Sequence, residues 1–291
     1  MDLELAIRLW AASQTCRAST VSRYRSSLRG LMGAASGPRT TDDCTGPRIA
    51  AAMDERLATV SIGTVNNELV ALLSVLRYAT RRDPTLAARV AELAALRLPE
   101  PESPPPEVYS PVEWETVVAA AREIAPWLPL AIEITTLAGL RRNEGRTLHV
   151  EDLVMDERVL LVVRRRDREL KTGSGSQREV SMCPRLLEVL KDANLPASGP
   201  LFPARKRNAR TPYVSMETWK RAMAKLQAVT GLHATWTRGR RSFITWGIKS
   251  GVPQIEMQRA AGHADGRMIE RHYYGWRRGY QPAFERLKPS G

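Results

Sequence analysis

A proline-dense segment divides the sequence into two parts. Residues 98–111 read LPEPESPPPEVYSP. Successive prolines favour extended backbone and cannot continue a helix, so a domain boundary is expected here. The chain has 291 residues, which is long enough for two domains. We therefore predict one domain over residues 1–97, a linker over 98–109, and a second domain over 110–291, of which 276–291 form a tail.

Residues 1–97 carry helical patterns. Apolar residues recur at the 3.6-residue period, most regularly from Val65 to Leu76. We predict helices over residues 3–13, 20–35 and 47–56, a fourth from Thr64 to the Arg81–Arg82 pair, and a short fifth over 85–95. The arginines of this all-helical module form either a solvated face or an anion-binding face, and the neutral charge balance of residues 1–200 favours the solvated face. They are Arg23, Arg25, Arg29, Arg81 and Arg82.

The second part mixes helices with a few strands. Residues 157–163 and 178–182 are rich in β-branched and aliphatic side chains, which is typical of strands. The polar residues between them indicate a hairpin tip. Helices are predicted over residues 110–121, 127–137, 184–193, 216–229 and 240–249, then up to residue 261 and over 265–272. The predicted fold class is α+β, mainly α with a small antiparallel β-sheet of two or three strands.

Positive charge is concentrated in the last third of the chain. The first 200 residues contain 26 Lys and Arg against 26 Asp and Glu, whereas residues 201–291 contain 18 against 5 and supply the whole net charge of +13. Such a localised surplus indicates a polyanionic partner. A membrane surface would need a basic amphipathic helix with a bulky apolar face, and we find none in the sequence. Nucleic acid is therefore the favoured partner.

The cysteines and the apolar segments indicate the cellular compartment in which the protein is expected. Cys16, Cys44 and Cys183 lie far apart and lack metal-ligand spacing, which predicts three reduced thiols in a cytosolic protein. No apolar run approaches the length of a bilayer span, and the N-terminus lacks a signal-peptide pattern. A cytoplasmic location without membrane contact is expected.

Two segments carry groups suited to phosphate chemistry. Arg141 follows a nearly continuous apolar helix, where an unpaired charge would be very costly. Either Glu144 is simply its partner, or Arg141 is held for an external anion with Glu144 bracing it. Residues 236–275 bring further arginines, then a Gly-His pair and two tyrosines. Guanidinium forks match phosphate oxygens, an imidazole moves protons near neutral pH, and a tyrosine hydroxyl can act as a covalent nucleophile.

Five motifs, in order, resemble those of the tyrosine recombinases, the phage integrase family. They are AGLRRNE at 138–144 for the first arginine box, Lys171 for the hairpin lysine, RRSF at 240–243 for the second arginine box, AGH at 261–263, and MIERHYY at 268–274 for the nucleophile segment. The resemblance covers residues 108–276. It implies a SAM-like helical core-binding domain over residues 1–97 and a tyrosine-recombinase catalytic domain over 110–291.

The resemblance implies a site-specific DNA recombinase, or integrase. In that reaction a tyrosine hydroxyl attacks a DNA phosphodiester, which gives a 3′-phosphotyrosine and a free 5′-hydroxyl, and another strand's hydroxyl reverses the step without ATP or metal. On this sequence Tyr273 is the implied nucleophile, Arg141 and Arg240 hold the non-bridging oxygens, and Lys171 is the general acid. His263 binds the phosphate or helps to take the tyrosine proton. The implied catalytic set is Tyr273, Arg141, Arg240, Lys171, His263, Glu144 and Thr237.

Two positions separate this sequence from the family pattern. Thr237 stands where the second arginine box usually has a histidine or a lysine. Threonine donates a hydrogen bond but is no base near pH 7, which leaves the protonic role open, with His233 one turn upstream as an alternative. Tyr273 and Tyr274 are adjacent, and helix neighbours point about 100° apart, so only one can face the phosphate. Family members whose nucleophile follows a histidine match Tyr273.

Basic side chains near these motifs are expected to contact DNA: Arg142, Arg164, Arg165, Lys206, Arg207, Arg210, Arg238 and Arg241. The implied partners are double-stranded recombination sites and three further copies of the chain, in a tetramer assembled by exchange of the C-terminal tail. No cofactor or metal is implied. The protein would be bacterial or phage-encoded and nucleoid-associated. Little chain precedes the first helix, so a separate N-terminal arm-binding domain is not expected.

Two other functions fit the same features. A type IB topoisomerase shares the chemistry but religates the same strand, and the N-terminal helical module favours a recombinase over it. A DNA-binding protein of this fold that has lost catalysis is the second alternative, and Thr237 is the residue that favours it.

Overall fold

The chain folds into two compact units, Met1–Ser103 and Pro104–Gly291. The structure is a computed structural model, and it describes residues 1–13, 18–100, 105–165, 177–204 and 209–262. The boundary between the units falls inside the proline-rich segment 98–111. Each unit has its own cluster of buried apolar side chains.

Five helices, joined by turns and loops, make up the described part of the first unit. Helix α4 is central, because the other helices all pack against it. Its Leu69, Leu72 and Leu76 are at most 1% exposed. The Ser61 hydroxyl caps it by accepting from the amide of Thr64, so the helix begins earlier than the sequence predicts. The helices are α1 (Leu3–Ala12), α2 (Ala18–Met32), α3 (Gly46–Leu57), α4 (Ile62–Ala79) and α5 (Leu86–Ala94).

The second unit is built around α7, which is apolar along nearly its whole length. It packs against α6, α8, α9 and α11. Helix α6 begins with a capping box, in which the Ser110 hydroxyl accepts from the Glu113 amide while the Glu113 carboxylate accepts from the Ser110 amide. The helices are α6 (Pro111–Ile124), α7 (Leu128–Leu137), α8 (Arg142–Arg146), α9 (Pro184–Asp192), α10 (Met216–Thr230), α11 (Trp236–Lys249) and α12 (Gln254–Ala261), with a 3₁₀ turn at Val150–Asp152.

A small antiparallel sheet completes the second unit. Its strands are β1 (Leu153–Val154), β2 (Val159–Val162) and β3 (Arg178–Ser181), in the order β1-β2-β3. Leu160 pairs with Leu153 on one side and Val180 on the other, and all three side chains are buried. The last pair of the ladder joins Val162 to Arg178, which places Arg178 beside α12.

The predicted fold class, mainly α with a small antiparallel sheet, is confirmed. The predicted start is furthest from the structure in α11, which begins at Trp236 rather than near Arg240. Thr235 caps it by accepting from the Arg238 amide at 3.1 Å. Trp236 is buried and stacks on Trp219 of α10 with ring centroids 4.5 Å apart. Packing therefore holds a first turn that the sequence pattern does not reveal.

Candidate functional site

Arg141 enters the site from the end of a buried helix. After α7 the backbone turns at Gly139, whose φ is +59°. A Cβ at Gly139 would lie 2.2 Å from Cδ1 of Phe243 in α11, so glycine is required by both the backbone conformation and the close approach. The turn carries the chain out of the apolar core and places Arg141 at the start of α8.

Glu144 is the carboxylate at the centre of the site. It is 5% exposed. Its Oε2 accepts from the backbone amide of Arg141, and its Oε1 accepts from the Nη1 of Arg141, both at 2.8 Å. The pairing of Arg141 with Glu144 is thus present, as one of the two interpretations of the sequence requires. It is not the whole arrangement, because a second arginine binds the same carboxylate.

That second arginine is Arg178, which is not among the site residues expected from the sequence. Its side chain is 6% exposed. Nη2 donates to Oε2 of Glu144 at 2.8 Å and Nη1 to Oε1 at 3.3 Å, while Nε donates to the carbonyl of Ala260 at 2.6 Å. The one signal in the sequence is a charged residue that opens a short strand, which is common on any sheet edge.

Arg240 comes from the middle of α11. Its Nη1 donates to the carbonyl of Gly139, and its Nη2 donates to the carbonyl of Ala261. Gly139 belongs to the first arginine box and Ala261 to the Gly-His segment. Arg240 therefore joins the turn before Arg141 to the end of α12, and three motifs that are far apart in sequence meet at this side chain.

The C-terminal end of α12 receives all three arginines. The carbonyl of Ala260 accepts from Arg178, that of Ala261 from Arg240, and that of Gly262 from Arg141. A helix C-terminus leaves its last carbonyls without partners within the helix and carries partial negative charge, so it attracts guanidinium groups. Gly262 ends the helix in the left-handed conformation at φ +65°.

The site has a surplus of positive charge. Three guanidiniums, Arg141, Arg178 and Arg240, surround one carboxylate. Burial alone would raise the pKa of Glu144, but the hydrogen bonds and charges of Arg178 and Arg141 outweigh it and lower the pKa to about 2. Burial, followed by the charge of Arg141, lowers the pKa of Arg240 to about 9, which leaves it protonated at neutral pH. A partly buried cluster of this kind is suited to binding an anion.

Thr237 and His233 lie on the N-terminal side of Arg240. Thr237 is exposed in the first turn of α11, three residues before Arg240. His233 precedes the helix, and its Nδ1 pairs with the carboxylate of Glu107 at the end of the linker. That contact turns the imidazole toward the linker, so the structure offers no support for His233 as the substitute for a histidine at position 237.

The expected DNA-contact residues fall into different environments. Arg142, Arg164 and Arg210 are exposed. Arg165 is half-buried and forms an ion pair with Asp152, whose side chain is fully buried. Arg241 is also half-buried. The exposed group is free to meet a large polyanion, whereas Arg165 is committed at least in part to a buried carboxylate.

Arg238, another of the residues expected to contact DNA, is buried. Its side chain is 10% exposed and its guanidinium lies 4.3 Å from the ring centroid of Tyr109. Nη2 donates to the carboxylate of Glu113 at 2.8 Å and to the carbonyl of Val108 at 3.0 Å. These contacts fix the segment before α6 onto α11. Arg238 therefore joins α11 to the segment before α6, and its guanidinium is bound within the protein.

The first unit has a basic groove of its own. A cavity of about 490 Å³ lies between α1 and α2 and is lined by the exposed residues Arg8, Arg25, Arg29 and Arg39, together with Glu4. The expectation from the sequence is a solvated face for Arg25 and Arg29. Their position beside Arg8 and Arg39 in one groove gives the anion-binding alternative a structural basis.

Several expected site residues lie outside the described residues. They are Lys171, Lys206, Arg207, His263, Tyr273 and Tyr274, together with the tail 276–291 and Cys16. In the part that is described, Cys44 and Cys183 are free thiols, and burial raises the pKa of Cys44 to about 12. No cluster of three potential metal ligands occurs in those same residues. None of the helices there is long and apolar enough to cross a membrane.

The fold and the arginine-rich site define the class of tyrosine-type site-specific recombinases, enzymes that break and rejoin DNA strands. A model of the phage integrase family matches residues 108–277, which is more than half of the chain. The chain belongs to the phage integrase family. The resemblance inferred from the five motifs is thereby confirmed.

Solved structures with the same fold span both units. A lambda integrase dimer bound to a COC′ core site is 18% identical, with a TM-score of 0.73 over 97% of this chain and 99% of that one. The Tn1549 transposon integrase in complex with transposon right end DNA is 18% identical, with a TM-score of 0.69 over 98% of this chain and 96% of that one. No curated protein matches the sequence.

Proposed function

We propose that this protein is a site-specific DNA recombinase that cuts and rejoins strands through a 3′-phosphotyrosine intermediate. The observation that carries the proposal is the convergence of Arg141 and Arg240, from separate motifs, on one partly buried site with surplus positive charge. A phosphodiester in transfer gains charge on its non-bridging oxygens, and pre-positioned guanidiniums stabilise that charge. Solved proteins of this fold that are bound to DNA support the same substrate.

The proposed reaction has two balanced steps. The hydroxyl oxygen of Tyr273 attacks phosphorus, a new P–O bond forms, and the bond from phosphorus to the 5′-oxygen breaks. The tyrosine proton passes to a base, with His263 in that role or hydrogen-bonded to the phosphate, and Lys171 gives a proton to the leaving 5′-oxygen. The second step reverses the first with the 5′-hydroxyl of another strand. These three assignments rest on the family resemblance.

The described residues have roles in the same scheme. Arg141 and Arg240 would exchange contacts with the carbonyls of Gly262 and Ala261 for contacts with the phosphate oxygens. Glu144 would brace Arg141. Thr237, exposed three residues before Arg240, would donate a hydrogen bond to the DNA but would not accept a proton.

The DNA surface and the assembly belong to the proposal as well. Exposed Arg142, Arg164 and Arg210 would contact the backbone near the site, together with Lys206 and Arg207, and the groove of the first unit would supply a second basic surface. Four protomers would meet on paired double-stranded sites by exchange of residues 276–291. The protein would act on DNA in the cytoplasm of a bacterium.

A nicked suicide substrate tests the chemistry. A nick beside the cleavage position lets the short 5′-hydroxyl fragment diffuse away, so a covalent protein–DNA adduct accumulates. We expect the adduct with the wild type and with Tyr274→Phe, and none with Tyr273→Phe. The reverse result would refute the assignment of Tyr273. A wild type that binds the duplex and never forms an adduct would identify a catalytically impaired DNA-binding protein.

Strand exchange between two short duplex sites separates recombinase from topoisomerase. We expect joined products that contain one strand from each duplex. Relaxation of supercoiled DNA without any exchanged product would instead support the type IB topoisomerase. Deletion of residues 276–291 tests the proposed tail exchange separately. A truncated protein that still assembles four protomers on DNA would refute it.

A further inference from the structure

Arg178 connects two segments that the proposed chemistry depends on. It is the first residue of β3, and its guanidinium reaches Glu144 in α8 and the carbonyl of Ala260 in α12. The contact with α12 is close. A Cβ built on Gly262 would lie 2.8 Å from Nη1 of Arg178 and 3.1 Å from its Cδ. Arg178 thus supports the turn at which Arg141 also donates a hydrogen bond.

The hydrogen bonds of Glu144 show what Arg178 does to Arg141. Oε1 accepts from Nη1 of Arg141 and from Arg178, whereas Oε2 accepts from the amide of Arg141 and from Arg178. Arg141 therefore gives this carboxylate a single side-chain donor, and its Nη2 is directed to the carbonyl of Gly262. Arginine and carboxylate otherwise prefer a two-bond, fork-to-fork pairing.

Removal of Arg178 would release that constraint. The Oε2 of Glu144 would lose its side-chain donor, and a buried carboxylate strongly favours replacing a lost partner. Arg141 already donates to Glu144 through Nη1, and it could then turn its Nη2 from the carbonyl of Gly262 toward Glu144 as well. The same change would leave two guanidiniums and one carboxylate in the cluster, so the positive surplus would fall.

We propose that Arg178 is a positioning residue that occupies Glu144 and thereby keeps the guanidinium of Arg141 directed at the scissile phosphate. It acts through Glu144 and Arg141 and does not itself touch the substrate, since its side chain is 6% exposed and is bound to Glu144 and Ala260. The proposal rests on the proposed function, because it assigns Arg141 to the phosphate.

The test compares two suicide substrates that differ at one atom. In the first, the scissile group is an ordinary phosphodiester; in the second it is a methylphosphonate, in which a neutral methyl group replaces one charged non-bridging oxygen. The second substrate has less charge to stabilise in the transition state and therefore depends less on a well-placed guanidinium. The measured quantity is the single-turnover rate of covalent adduct formation by the full-length protein on each substrate.

For Arg178→Gln we expect a loss of about 10- to 100-fold on the phosphodiester and of less than about 3-fold on the methylphosphonate. Arg141→Gln should show the same selectivity with a larger loss. Arg185→Gln is the matched control, because Arg185 also pairs with a buried glutamate, Glu133, at 3.0 Å, away from the arginine cluster. It should leave the ratio of the two rates unchanged.

Equal losses on both substrates for Arg178→Gln would show a merely structural role and overturn the proposal. If Arg178→Gln does not fold, Arg178→Lys replaces it, since lysine keeps the charge but cannot make the fork and should still lose rate selectively on the phosphodiester. A wild type that forms no adduct on either substrate would refute the proposed function. If the wild type is active, Arg141→Gln loses rate mainly on the phosphodiester and Arg178→Gln loses rate equally on both substrates, only the role of Arg178 is refuted.

Discussion

Glu144→Gln is the change that most directly probes the energetics of the site. The pKa of Glu144 is about 2 in the folded protein, against 4.5 for a free glutamate. That difference corresponds to about 3 kcal/mol of stabilisation at neutral pH. The side chain is 5% exposed, so screening by solvent is slight. Loss of one partner from a buried ion pair typically costs about 3–5 kcal/mol, which agrees in size.

The sign of the pH dependence follows from the lowered pKa. A carboxyl group with a depressed folded-state pKa stabilises the protein above its unfolded pKa and loses that contribution as the pH falls. We therefore expect Glu144→Gln to be about 3 kcal/mol less stable than the wild type at pH 7 and only about 1 kcal/mol less stable at pH 3. Urea unfolding followed by tryptophan fluorescence measures this, because six of the seven tryptophans follow residue 104.

Glu133→Gln is the control, because its shift has the opposite sign. Glu133 is buried and pairs with Arg185, but here burial outweighs the ion pair and raises the pKa of the carboxyl group. Its replacement should therefore cause no loss of stability at pH 7. A Glu144→Gln variant as stable as the wild type at pH 7, or a deficit that stays constant down to pH 3, would contradict the proposed electrostatics of the cluster.

Three further predictions each concern the replacement of a single residue. Arg240→Met should slow covalent adduct formation by about 10²–10³-fold in single-turnover assays while DNA affinity in gel shifts changes little. Gly139→Ala should lower the free energy of unfolding, measured in urea titrations, by more than about 2 kcal/mol. Gly199 also has a positive φ, +78°, but has open space around it, so Gly199→Ala should cost only about 1 kcal/mol of backbone strain. Arg238→Met should destabilise the second unit without altering the salt dependence of DNA binding, which is the slope of the logarithm of the binding constant against the logarithm of the salt concentration. Arg142→Ala should reduce that slope by about one.

Much of the fold could be predicted from local pattern. The apolar run of α7, the alternation in β2 and β3, and the Ser110–Pro111 start of α6 each depend on neighbouring residues, and each is found near its predicted position. The largest departure is the start of α11. There Trp236 is held by its stack on Trp219, and a contact between helices leaves no trace in the local sequence.

The site was predicted in part for the same reason. Arg141 and Glu144 are three residues apart, so their pairing follows from the geometry of a helix start. Arg240 was recognised through its motif. No local pattern points to Arg178, because its importance comes from Glu144, 34 residues away. The burial of Arg238 is equally hidden in the sequence, because its partners at residues 108 and 113 lie far back in the chain.

The sequence by itself determined the two-part organisation, the placement of positive charge and the presence of an arginine-histidine-tyrosine set. Prolines, charged residues and spaced motifs can each be recognised from neighbouring residues alone. Only the tertiary structure decided which arginines meet. Burial forces each guanidinium to find acceptors, and the acceptors for Arg141, Arg178 and Arg240 are three consecutive carbonyls at the end of α12. Packing brings those partners together across 121, 82 and 21 residues of sequence, so no local pattern specifies them.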